Sequence, residues 1–429
     1  MSTIFGSQSS SVDAAARLRK GPRGHPLLPG GIGRSTLSVG EMTPFVARGE
    51  GYRLWDDSGR ELIDANNNFT VAIHGHAHPK IVEAAERTLR DGASFGLPNP
   101  HEWEHAEVML KRLPDLDQVR YTNSGTEAVM TALRVARAHT GRDACVVMQD
   151  GYHGTSDVAL CAGGARYTRG VPKAVIDDVT VVPINDTAAL RAAVESDPDR
   201  YAAVLIDLLP NRAGLVSLTD EFVQLARELT TAHGIVFIVD EVISLRLGLN
   251  GLSGEYGITP DIVTVGKIIG GGFPIGALIG REQVMRELSV FSPNFLEHGG
   301  TFSGNPVSMA AGVVSLELLT ADEIARLNQL GDAARTAAHA RLSEVGWEVR
   351  GRGSLFRPFP TGQTIMDADL RKRLWWATYD RGLLLTQANC VSLSTPMSSE
   401  VVADVTDRLV DAVLAVTHAP DASPGATTA

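Results

Sequence analysis

Short apolar runs alternate with amphipathic segments through the middle of the chain. The runs are continuous, mostly rich in β-branched residues and bounded by glycine or aspartate, as expected of parallel strands that are covered on both faces. This alternation predicts an α/β layer with a mainly parallel sheet. The predicted strands are Ala144–Met148, Ala202–Ile206, Ile235–Val239, Ile262–Val265 and Ile275–Ile279. The predicted helices between them are Glu127–His139 and Thr219–His233, the latter with Thr219 as N-cap and Gly234 just past its end.

The pattern changes after about Gly312, where long helices are predicted over Val313–Leu319 and Asp322–Glu344 and a few strands follow. A smaller α+β C-terminal domain is predicted to begin there. The complete domain prediction is an N-terminal arm and segment that packs with the small domain (1–60), a large domain (61–312), a small domain (313–417) and a disordered tail (418–429).

Composition and charge narrow the possible functions. A chain of 429 residues suggests two packed domains, and a formal net charge of −11 without a basic stripe does not favour nucleic-acid binding. Cys145, Cys161 and Cys390 form no CxxC or Cys/His spacing, which fits a reducing cytoplasm. We find no secretory signal and no apolar run long enough to cross a bilayer. Small-molecule chemistry in the cytoplasm, away from membranes, is the expectation.

Ser124-Gly125-Thr126-Glu127, directly before a predicted helix, is a candidate phosphate-binding segment. Glycine lets the backbone approach a ligand closely, Ser124 and Thr126 add hydroxyl donors, and the helix N-terminus supplies free N–H groups and a positive dipole end. The same four residues also make a good helix N-cap without a ligand. The tetrapeptide alone therefore leaves both interpretations open.

Two charged residues follow predicted strands, where ligands of open α/β sheets bind. Asp240 follows Ile235–Val239, and a carboxylate there can pair with a protonated pyridine nitrogen, cap the next turn or bind Mg²⁺. Lys267 follows Ile262–Val265 and precedes a glycine run, where burial can lower the pKa of its amine as a Schiff base requires. A Walker-type phosphate lysine is disfavoured, because the glycine run comes after the lysine and no Ser or Thr follows it.

Aromatic and histidine residues supply further candidates. Tyr152, in the segment GYHG, could stack on an aromatic cofactor or be a buried aromatic at a strand end. His74, His76 and His78 alternate in HGHAHP, as metal ligands on one strand face would. The glycine and proline of that motif favour a turn instead, and no carboxylate or cysteine follows at metal spacing. No metal is therefore expected.

The order and spacing of these features resemble a known family. The chain resembles the class III aminotransferases of the fold-type I superfamily, whose cofactor is pyridoxal 5'-phosphate (PLP). It is most similar to the branch of glutamate-1-semialdehyde aminomutase and the β-amino acid (β-phenylalanine-like) aminotransferases. The resemblance covers about Leu28 to Leu414. Its motifs here are LPGGIGRSTL, RGEGYRLWD, HGHAHP, TNSGTEA, DGYHG, VDEVISLRL, TVGKIIGGGFPIGA and GGTFSGNP.

The resemblance implies roles for residues in these motifs. Lys267 would hold PLP as a Schiff base and transfer protons, and Asp240 would hold the pyridine nitrogen. Thr301 would reach the phosphate from the neighbouring subunit of a homodimer with shared active sites. The other implied cofactor-binding residues are Val242 and Tyr152 on the two faces of the ring, His153 nearby, and Ser124, Gly125 and Thr126 at the phosphate.

The implied substrate-binding residues depart from the aminomutase pattern. The arginine of the aminomutase motif falls at Leu37 here, and Arg34 precedes it, as in proteins similar to β-phenylalanine aminotransferase. Arg246 is shifted by one residue, again toward the β-amino acid enzymes. Arg34 is therefore the first candidate for a substrate carboxylate and Arg246 the second, and Phe69 is expected to wall the pocket. A surface arginine in a loop is the alternative for Arg34, and the role of Asp207, where the family often has Glu, stays open.

Together these features predict a PLP-dependent aminotransferase. It would move an amino group between an amino acid, in particular a β-amino acid or related carboxylate-bearing amine, and a keto acid acceptor. An aminomutase, racemase or epimerase would use the same site without net transfer, and Leu37 and Arg246 disfavour the semialdehyde aminomutase. A non-catalytic protein of the same fold is disfavoured by the presence of Lys267 and Asp240. A nicotinamide dehydrogenase is disfavoured because no strand–GxGxxG–helix unit occurs.

Overall fold

A computed structural model describes residues 27–40, 43–363 and 365–418. Residues 1–26 of the predicted N-terminal arm and segment, and the predicted tail beyond His418, lie outside these ranges. The described strands are β1 (Val46–Glu50), β2 (Arg53–Asp56), β3 (Glu61–Asp64), β4 (Gln118–Thr122), β5 (Ala144–Met148), β6 (Val179–Val182), β7 (Tyr201–Asp207), β8 (Val236–Asp240), β9 (Ile262–Gly266), β10 (Gly276–Gly280), β11 (Trp347–Arg352), β12 (Leu355–Pro360), β13 (Leu383–Leu384) and β14 (Val391–Ser392). The described helices are α1 (Pro79–Asp91), α2 (Pro100–Arg112), α3 (Gly125–Thr140), α4 (Asp157–Cys161), α5 (Lys173–Asp177), α6 (Thr187–Ser196), α7 (Asp220–His233), α8 (Gly251–Glu255), α9 (Glu282–Met285), α10 (Pro306–Leu318), α11 (Ala321–Leu342), α12 (Ala368–Asp380) and α13 (Ser399–His418).

A seven-stranded sheet in the order β4-β10-β9-β8-β7-β5-β6 carries the candidate site. Strands β5 to β9 run parallel, and β10 pairs antiparallel with both β9 and β4. Every residue of β5, β7, β8, β9 and β10 is buried, as expected of strands that are covered on both faces. The predicted α/β class and mainly parallel sheet are confirmed, and the predicted strands are all present, with bounds shifted by about one residue.

Side-chain caps fix the ends of the helices beside this sheet. The Thr219 hydroxyl accepts a hydrogen bond from the N–H of Phe222 at 3.3 Å, and Gly234 takes a φ of +60° after the last turn. Helix α7 therefore has the predicted caps. Helix α3 begins at Gly125, slightly earlier than predicted. No helix in the described ranges is long and apolar enough to cross a membrane.

The helix predicted over Val313–Leu319 is wrong at its start. Helix α10 begins at Pro306, because Asn305 caps it by accepting a hydrogen bond from the N–H of Val307 at 3.0 Å. Gly312, where we placed the domain boundary, lies inside this helix. A Cβ there would lie 2.1 Å from the carbonyl oxygen of Ile269, so the glycine lets α10 pack directly on the segment that follows β9. The boundary itself stays a prediction.

Two smaller sheets lie at the ends of the chain. In the sheet β1-β2-β3-β13, Leu383 pairs with Ile63, which joins the N-terminal segment to the C-terminal part. Leu54 of β2 packs in the same apolar cluster as Trp375 and Tyr379 of α12. The third sheet, β11-β12-β14, is antiparallel and lies beside α11. The described part of the N-terminal segment thus contacts C-terminal elements, while the division of the chain into domains stays a prediction.

Candidate active site

The carboxyl ends of four neighbouring parallel strands meet at one edge of the central sheet. Strand β5 leads to Tyr152, β7 ends at Asp207, β8 ends at Asp240, and β9 leads to Lys267. Asp207 and Asp240 are register partners on adjacent strands. Ligands of open α/β sheets bind beyond this edge, so the fold brings the main predicted cofactor residues to one place.

The N-terminus of α3 forms a cradle of backbone N–H groups. The Ser124 hydroxyl caps the helix by accepting a hydrogen bond from the N–H of Glu127 at 3.2 Å. The first N–H groups of a helix have no acceptor within it, so those of Gly125 and Thr126 can bind an anion. A Cβ at Gly125 would lie 3.0 Å from both methyl groups of Val242, which explains the glycine. Ser124 can therefore cap the helix while the N–H groups of Gly125 and Thr126 remain available for a phosphate.

A buried pair is formed by His153 and Asp240. His153 Nδ1 lies 2.8 Å from Asp240 Oδ2, and the two residues are only 1% and 4% exposed. The other carboxylate oxygen accepts a hydrogen bond from the N–H of Val242 at 3.0 Å. These contacts fix the orientation of the carboxylate, so His153 acts as a positioning residue for Asp240. Fixed in this way, the carboxylate retains lone pairs for a protonated ring nitrogen.

The amine of Lys267 is buried and has no partner among the described residues. Lys267 has a φ of +52°, and its Nζ makes no hydrogen bond or ion pair with any other described residue. Burial lowers the pKa of this amine, whereas the carboxylates of Asp240 and Asp207 act in the opposite direction. A lowered pKa increases the fraction of neutral amine, which is the nucleophilic form that condenses with a carbonyl group.

Asp207 is a buried acid whose role the sequence analysis left open. Burial, followed by repulsion from Asp240, raises the pKa of Asp207 to about 7, while His153 and the N–H of Leu209 act against this rise. That N–H donates to Asp207 Oδ1 at 2.9 Å. Two carboxyl groups at adjacent strand ends cannot ionise independently. The matched strand-end positions of the two aspartates are the signal that sequence reasoning did not use.

These residues fit PLP. The cradle at α3 suits a phosphate, the fixed carboxylate of Asp240 suits a pyridine nitrogen, and the free amine of Lys267 suits covalent attachment. Val242 provides an apolar wall between them: its Cγ1 lies 3.6 Å from where a Cβ of Gly266 would stand. Tyr152 adjoins His153 in the chain and stays partly exposed, as a residue on the opposite ring face would be.

Arg34 and Phe69, both predicted to bind substrate, lie together at an unusual turn. The residues Asn67–Thr70 all have positive φ angles, a conformation that asparagine tolerates better than most residues. The turn places Asn68 to accept a hydrogen bond from Arg34 Nη2 and puts the Phe69 ring 5.4 Å from the guanidinium. The run of asparagines before Phe69 is the sequence signal for this turn, and sequence reasoning missed it.

Hydrogen bonds hold the left-handed turn in place. Asp64 Oδ1 accepts from the N–H groups of Asn66 and Asn67, at 2.8 Å and 2.9 Å. The Asn67 amide donates to the carbonyl oxygen of Ser392 at 2.6 Å. A cavity of about 220 Å³ lies beside the turn, and Asn68 shares its lining with the glycine run that follows Lys267. The turn therefore connects Arg34 to the neighbourhood of the lysine.

The suggested substrate-binding role of Arg246 requires correction. The residue is 1% exposed, and its guanidinium donates to Ser354 Oγ at 3.1 Å, to Ser392 Oγ at 2.7 Å and to the carbonyl oxygen of Leu393. Burial lowers the pKa of Arg246 to about 10. Because all three guanidinium nitrogens already donate to protein oxygens, Arg246 serves to join the segment after β8 to the C-terminal part. It is not available for a substrate carboxylate.

Two of the three HGHAHP histidines, His74 and His76, form hydrogen bonds with neighbouring elements. His74 Nε2 lies 2.8 Å from the carbonyl oxygen of Ser315, and His76 Nε2 lies 2.7 Å from Asp64 Oδ2. Burial lowers the pKa of His74 to about 4, so it is neutral near pH 7. His76 thus supports Asp64, which in turn holds the left-handed turn. The motif is thereby linked, through Asp64, to the turn that carries Asn68 and Phe69.

Thr301 lies on an exposed segment close to the phosphate cradle of its own chain. A Cβ on Gly300 would be 3.0 Å from Asn123 Nδ2, just before Ser124. Thr301 and Phe302 are themselves exposed. The segment is therefore accessible to a second protomer.

Comparison with known proteins identifies the family. The sequence pattern of the family "aminotransferase class-III" matches residues 36–413. The chain is 40% identical over 359 residues (80% of this chain and 84% of the relative) to glutamate-1-semialdehyde 2,1-aminomutase of Opitutus terrae. It also matches a solved transaminase with PLP bound, at 35% identity and a TM-score of 0.89 (96% and 99% of the two chains).

A second solved structure is the β-phenylalanine aminotransferase of Variovorax paradoxus, at 32% identity and a TM-score of 0.84 (94% and 91% of the two chains). The aminomutase matches most of the length of this chain in sequence, and the two transaminases share its fold as well. The desolvated lysine, the paired aspartate and the helix cradle agree with the cofactor that these relatives use. The chain belongs to the class III aminotransferases, a family of fold-type I enzymes with PLP as cofactor.

Proposed function

We propose that this protein is an aminotransferase that takes the amino group of a β-amino acid, or a related carboxylate-bearing amine, and transfers it to a keto acid. The observation that carries this proposal is the guanidinium of Arg34, anchored by Asn68 and placed over Phe69. An arginine fork recognises a carboxylate through two parallel hydrogen bonds. The adjacent aromatic ring can contact an apolar substituent of the same substrate.

Each residue of the site has a separate role in the proposed reaction. When bound, PLP supplies an electron-accepting ring that stabilises carbanion charge and carries the amino group between donor and acceptor. Lys267 holds the cofactor, and its amine moves a proton to and from the amine-bearing carbon of the substrate. Asp240, oriented by His153, keeps negative charge beside the ring nitrogen. The N–H groups of Gly125 and Thr126 bind the phosphate.

A requirement for an acceptor tests this proposal. The holoenzyme is incubated with β-phenylalanine, with and without pyruvate or 2-oxoglutarate, and both products are quantified. Transamination predicts equal amounts of keto product and aminated acceptor, and turnover that stops without a keto acid. Sustained turnover of an amino substrate without any acceptor would overturn the proposal.

The second candidate is an aminomutase, favoured by the 40% identity to the Opitutus terrae enzyme. Its substrate keeps the amino group, which moves to a neighbouring carbon. The residue Leu37, which stands where the aminomutase motif has arginine, is 41% exposed and cannot replace that charge. Conversion of glutamate-1-semialdehyde without a keto acid distinguishes the two reactions.

The protein also functions as a homodimer in this proposal. Large apolar side chains are exposed on neighbouring segments, among them Leu97 (79%), Trp103 (79%) and Phe302 (62%). The Asn305 amide donates to the carbonyl oxygen of Ala93 at 2.8 Å, which holds these segments together. Apolar surface of this kind marks an interface. Thr301 lies within it, so a second copy would carry its Thr301 to the shared site.

A further inference from the structure

Arg212, which no motif pointed to, lies between two aromatic rings near the candidate site. It follows β7 in the loop after Asp207, and its guanidinium carbon is 4.5 Å from the centre of the Tyr152 ring and 4.1 Å from that of Tyr167. A Cβ at Gly163 would come within 3.1 Å of Arg212 Nη1 and within 2.4 Å of the Tyr167 ring. The glycine thus leaves the space that the arginine and Tyr167 fill.

The guanidinium of Arg212 lacks an anionic partner. Its Nη1 is buried without a hydrogen bond, and no carboxylate lies within ion-pair distance in the described part of the chain. Burial lowers the pKa of Arg212, while Tyr167, Tyr152 and the more distant carboxylate of Asp150 raise it. Leaving a buried donor of a charged group unpaired is unfavourable, and stacking on rings does not satisfy an N–H group.

The position of Arg212 connects this unpaired donor to the cofactor residues. Tyr152 is next to His153, and His153 is paired with Asp240 at 2.8 Å. Arg212 therefore stacks on the residue that directly precedes His153 in the chain. Arg34 approaches from the N-terminal segment and Arg212 from the loop after β7. The two guanidinium groups belong to separate elements, and neither forms an ion pair with a carboxylate of a described residue.

We propose that Arg212 binds the second carboxylate of a dicarboxylic substrate, a role that rests on the proposed aminotransferase function. The substrate class is a dicarboxylic keto acid acceptor, or the amino acid formed from it. Arg34 holds one carboxylate and Arg212 the other, and the two aromatic rings fix the orientation of the planar guanidinium of Arg212. A monocarboxylate would leave Arg212 without a partner. The arginine therefore favours substrates that are long enough to carry a second carboxylate to it.

Binding of unreactive acids tests this role independently of turnover. The affinities of the PLP-loaded enzyme for glutarate and for butyrate are measured by isothermal titration calorimetry. These acids have similar carbon chains and differ by one carboxylate. Loss of a charge-assisted contact corresponds to about 10- to 100-fold in affinity, so glutarate should bind the wild-type enzyme more tightly by about that factor.

Variants locate the effect. Arg212→Met should weaken glutarate binding by about 10- to 100-fold and leave butyrate nearly unchanged, and Arg212→Lys should retain part of the preference. Arg166 is a matched control, because it is exposed, lies 5.8 Å from the Tyr167 ring and belongs to a neighbouring segment. Arg166→Met should bind both acids as the wild type does.

The possible outcomes are distinct. Equal affinity of the wild-type enzyme for glutarate and butyrate would overturn the role of Arg212, even if the variants failed to fold. So would an equal loss of both acids in Arg212→Met, which would mean that the arginine only supports Tyr152. A glutarate preference that depends on Arg212 supports the inference even if no acceptor-dependent turnover is found. In that case only the proposed reaction would fail.

Discussion

The chemistry of the site depends on which polar groups are already satisfied and which are not. Asp240 has its orientation fixed by His153 and Val242, and Arg246 has every guanidinium nitrogen engaged. Lys267 and Arg212 have donors that other described residues leave free. Buried polar groups are nearly always paired in proteins, so an unpaired charged donor beside the predicted cofactor residues is a candidate for contact with a ligand. This criterion separates Arg212 from Arg246, although both are arginines after strand ends.

Lys267 is expected to be the attachment point of the cofactor. The pKa of its amine is lowered by burial, and no other described residue binds it. Purified holoenzyme should be yellow, and borohydride should fix the cofactor to the peptide that contains Lys267, as read by mass spectrometry. Lys267→Ala should retain the cofactor through the α3 cradle and Asp240 but lose turnover. Labelling of a peptide containing another lysine would contradict the assignment.

Arg34→Ala should lower kcat/KM for carboxylate substrates. A charge-assisted contact is worth on the order of 2–3 kcal/mol, so the expected loss is about one to two orders of magnitude. Amines without a carboxylate should be hardly affected, and cofactor content should not change. Arg48→Ala is the control, since Arg48 is also exposed and lies 3.5 Å from the ring of Trp55. Equal losses for acids and simple amines would mean that Arg34 is structural.

Asp207 should make the stability of the apoenzyme depend on pH. The pKa of Asp207 is raised to about 7 in the folded protein, so the folded state binds its proton more tightly than the unfolded state does. The contribution of the Asp207 proton to the free energy of unfolding is therefore present at low pH and is lost as pH rises from about 4 to about 7. Compared with the wild type, Asp207→Asn should therefore become relatively more stable over this range and show no further change above it.

Chemical denaturation at a series of pH values measures this difference. Asp91, an exposed carboxylate at the end of α1, provides the control variant Asp91→Asn. Its unfolding free energy should follow that of the wild type across the range. If Asp207→Asn also followed the wild type, Asp207 would be ionised in the folded protein over this range and the coupling to Asp240 would be weak.

At the scale of elements, the sequence predicted helices and strands where residues close together in the chain determine them. Helix α7 has Thr219 and Gly234 at its ends, and both cap as their residue types require. The buried strands were recognisable because covered parallel strands have continuous apolar runs. The start of α10 was missed, because we relied on the apolar pattern and not on Asn305 as a cap.

The parts of the site that escaped prediction depend on contacts distant in the chain. The turn at Asn67–Thr70 is held by Ser392, more than 300 residues away. Arg246 was mistaken for a ligand, because only the folded structure places Ser354 and Ser392 around it. Arg212 has no motif, and its position between two tyrosines depends on the loop after β7. Motifs were enough to propose residues for the cofactor, whereas the surroundings of Arg34, Arg246 and Arg212 became visible only in the fold.

On the scale of the whole molecule, exposed apolar residues lie on segments beside the predicted phosphate cradle. Gly300 approaches Asn123 beside the cradle, while Phe302, Trp103 and Leu97 are exposed nearby. A monomer would leave this apolar surface exposed to water. Each Å² that a dimer buries contributes about 25 cal/mol of stabilising free energy. Dimer formation and cofactor binding should therefore be coupled, since a ligand bound only by the assembled form stabilises it by mass action.

Trp103→Glu should weaken the dimer. An aromatic residue at the centre of an interface contributes on the order of 2–4 kcal/mol, which corresponds to a dissociation constant raised by about 30-fold or more. Sedimentation velocity should show a wild-type dimer that loosens when PLP is removed and a variant that dissociates at low micromolar concentration. The variant should also lose PLP more readily, because Thr301 of the second copy no longer reaches the phosphate. Val181→Glu, on the exposed face of the edge strand β6, is the control and should stay dimeric. A wild-type monomer with full activity and normal PLP retention would exclude the shared site.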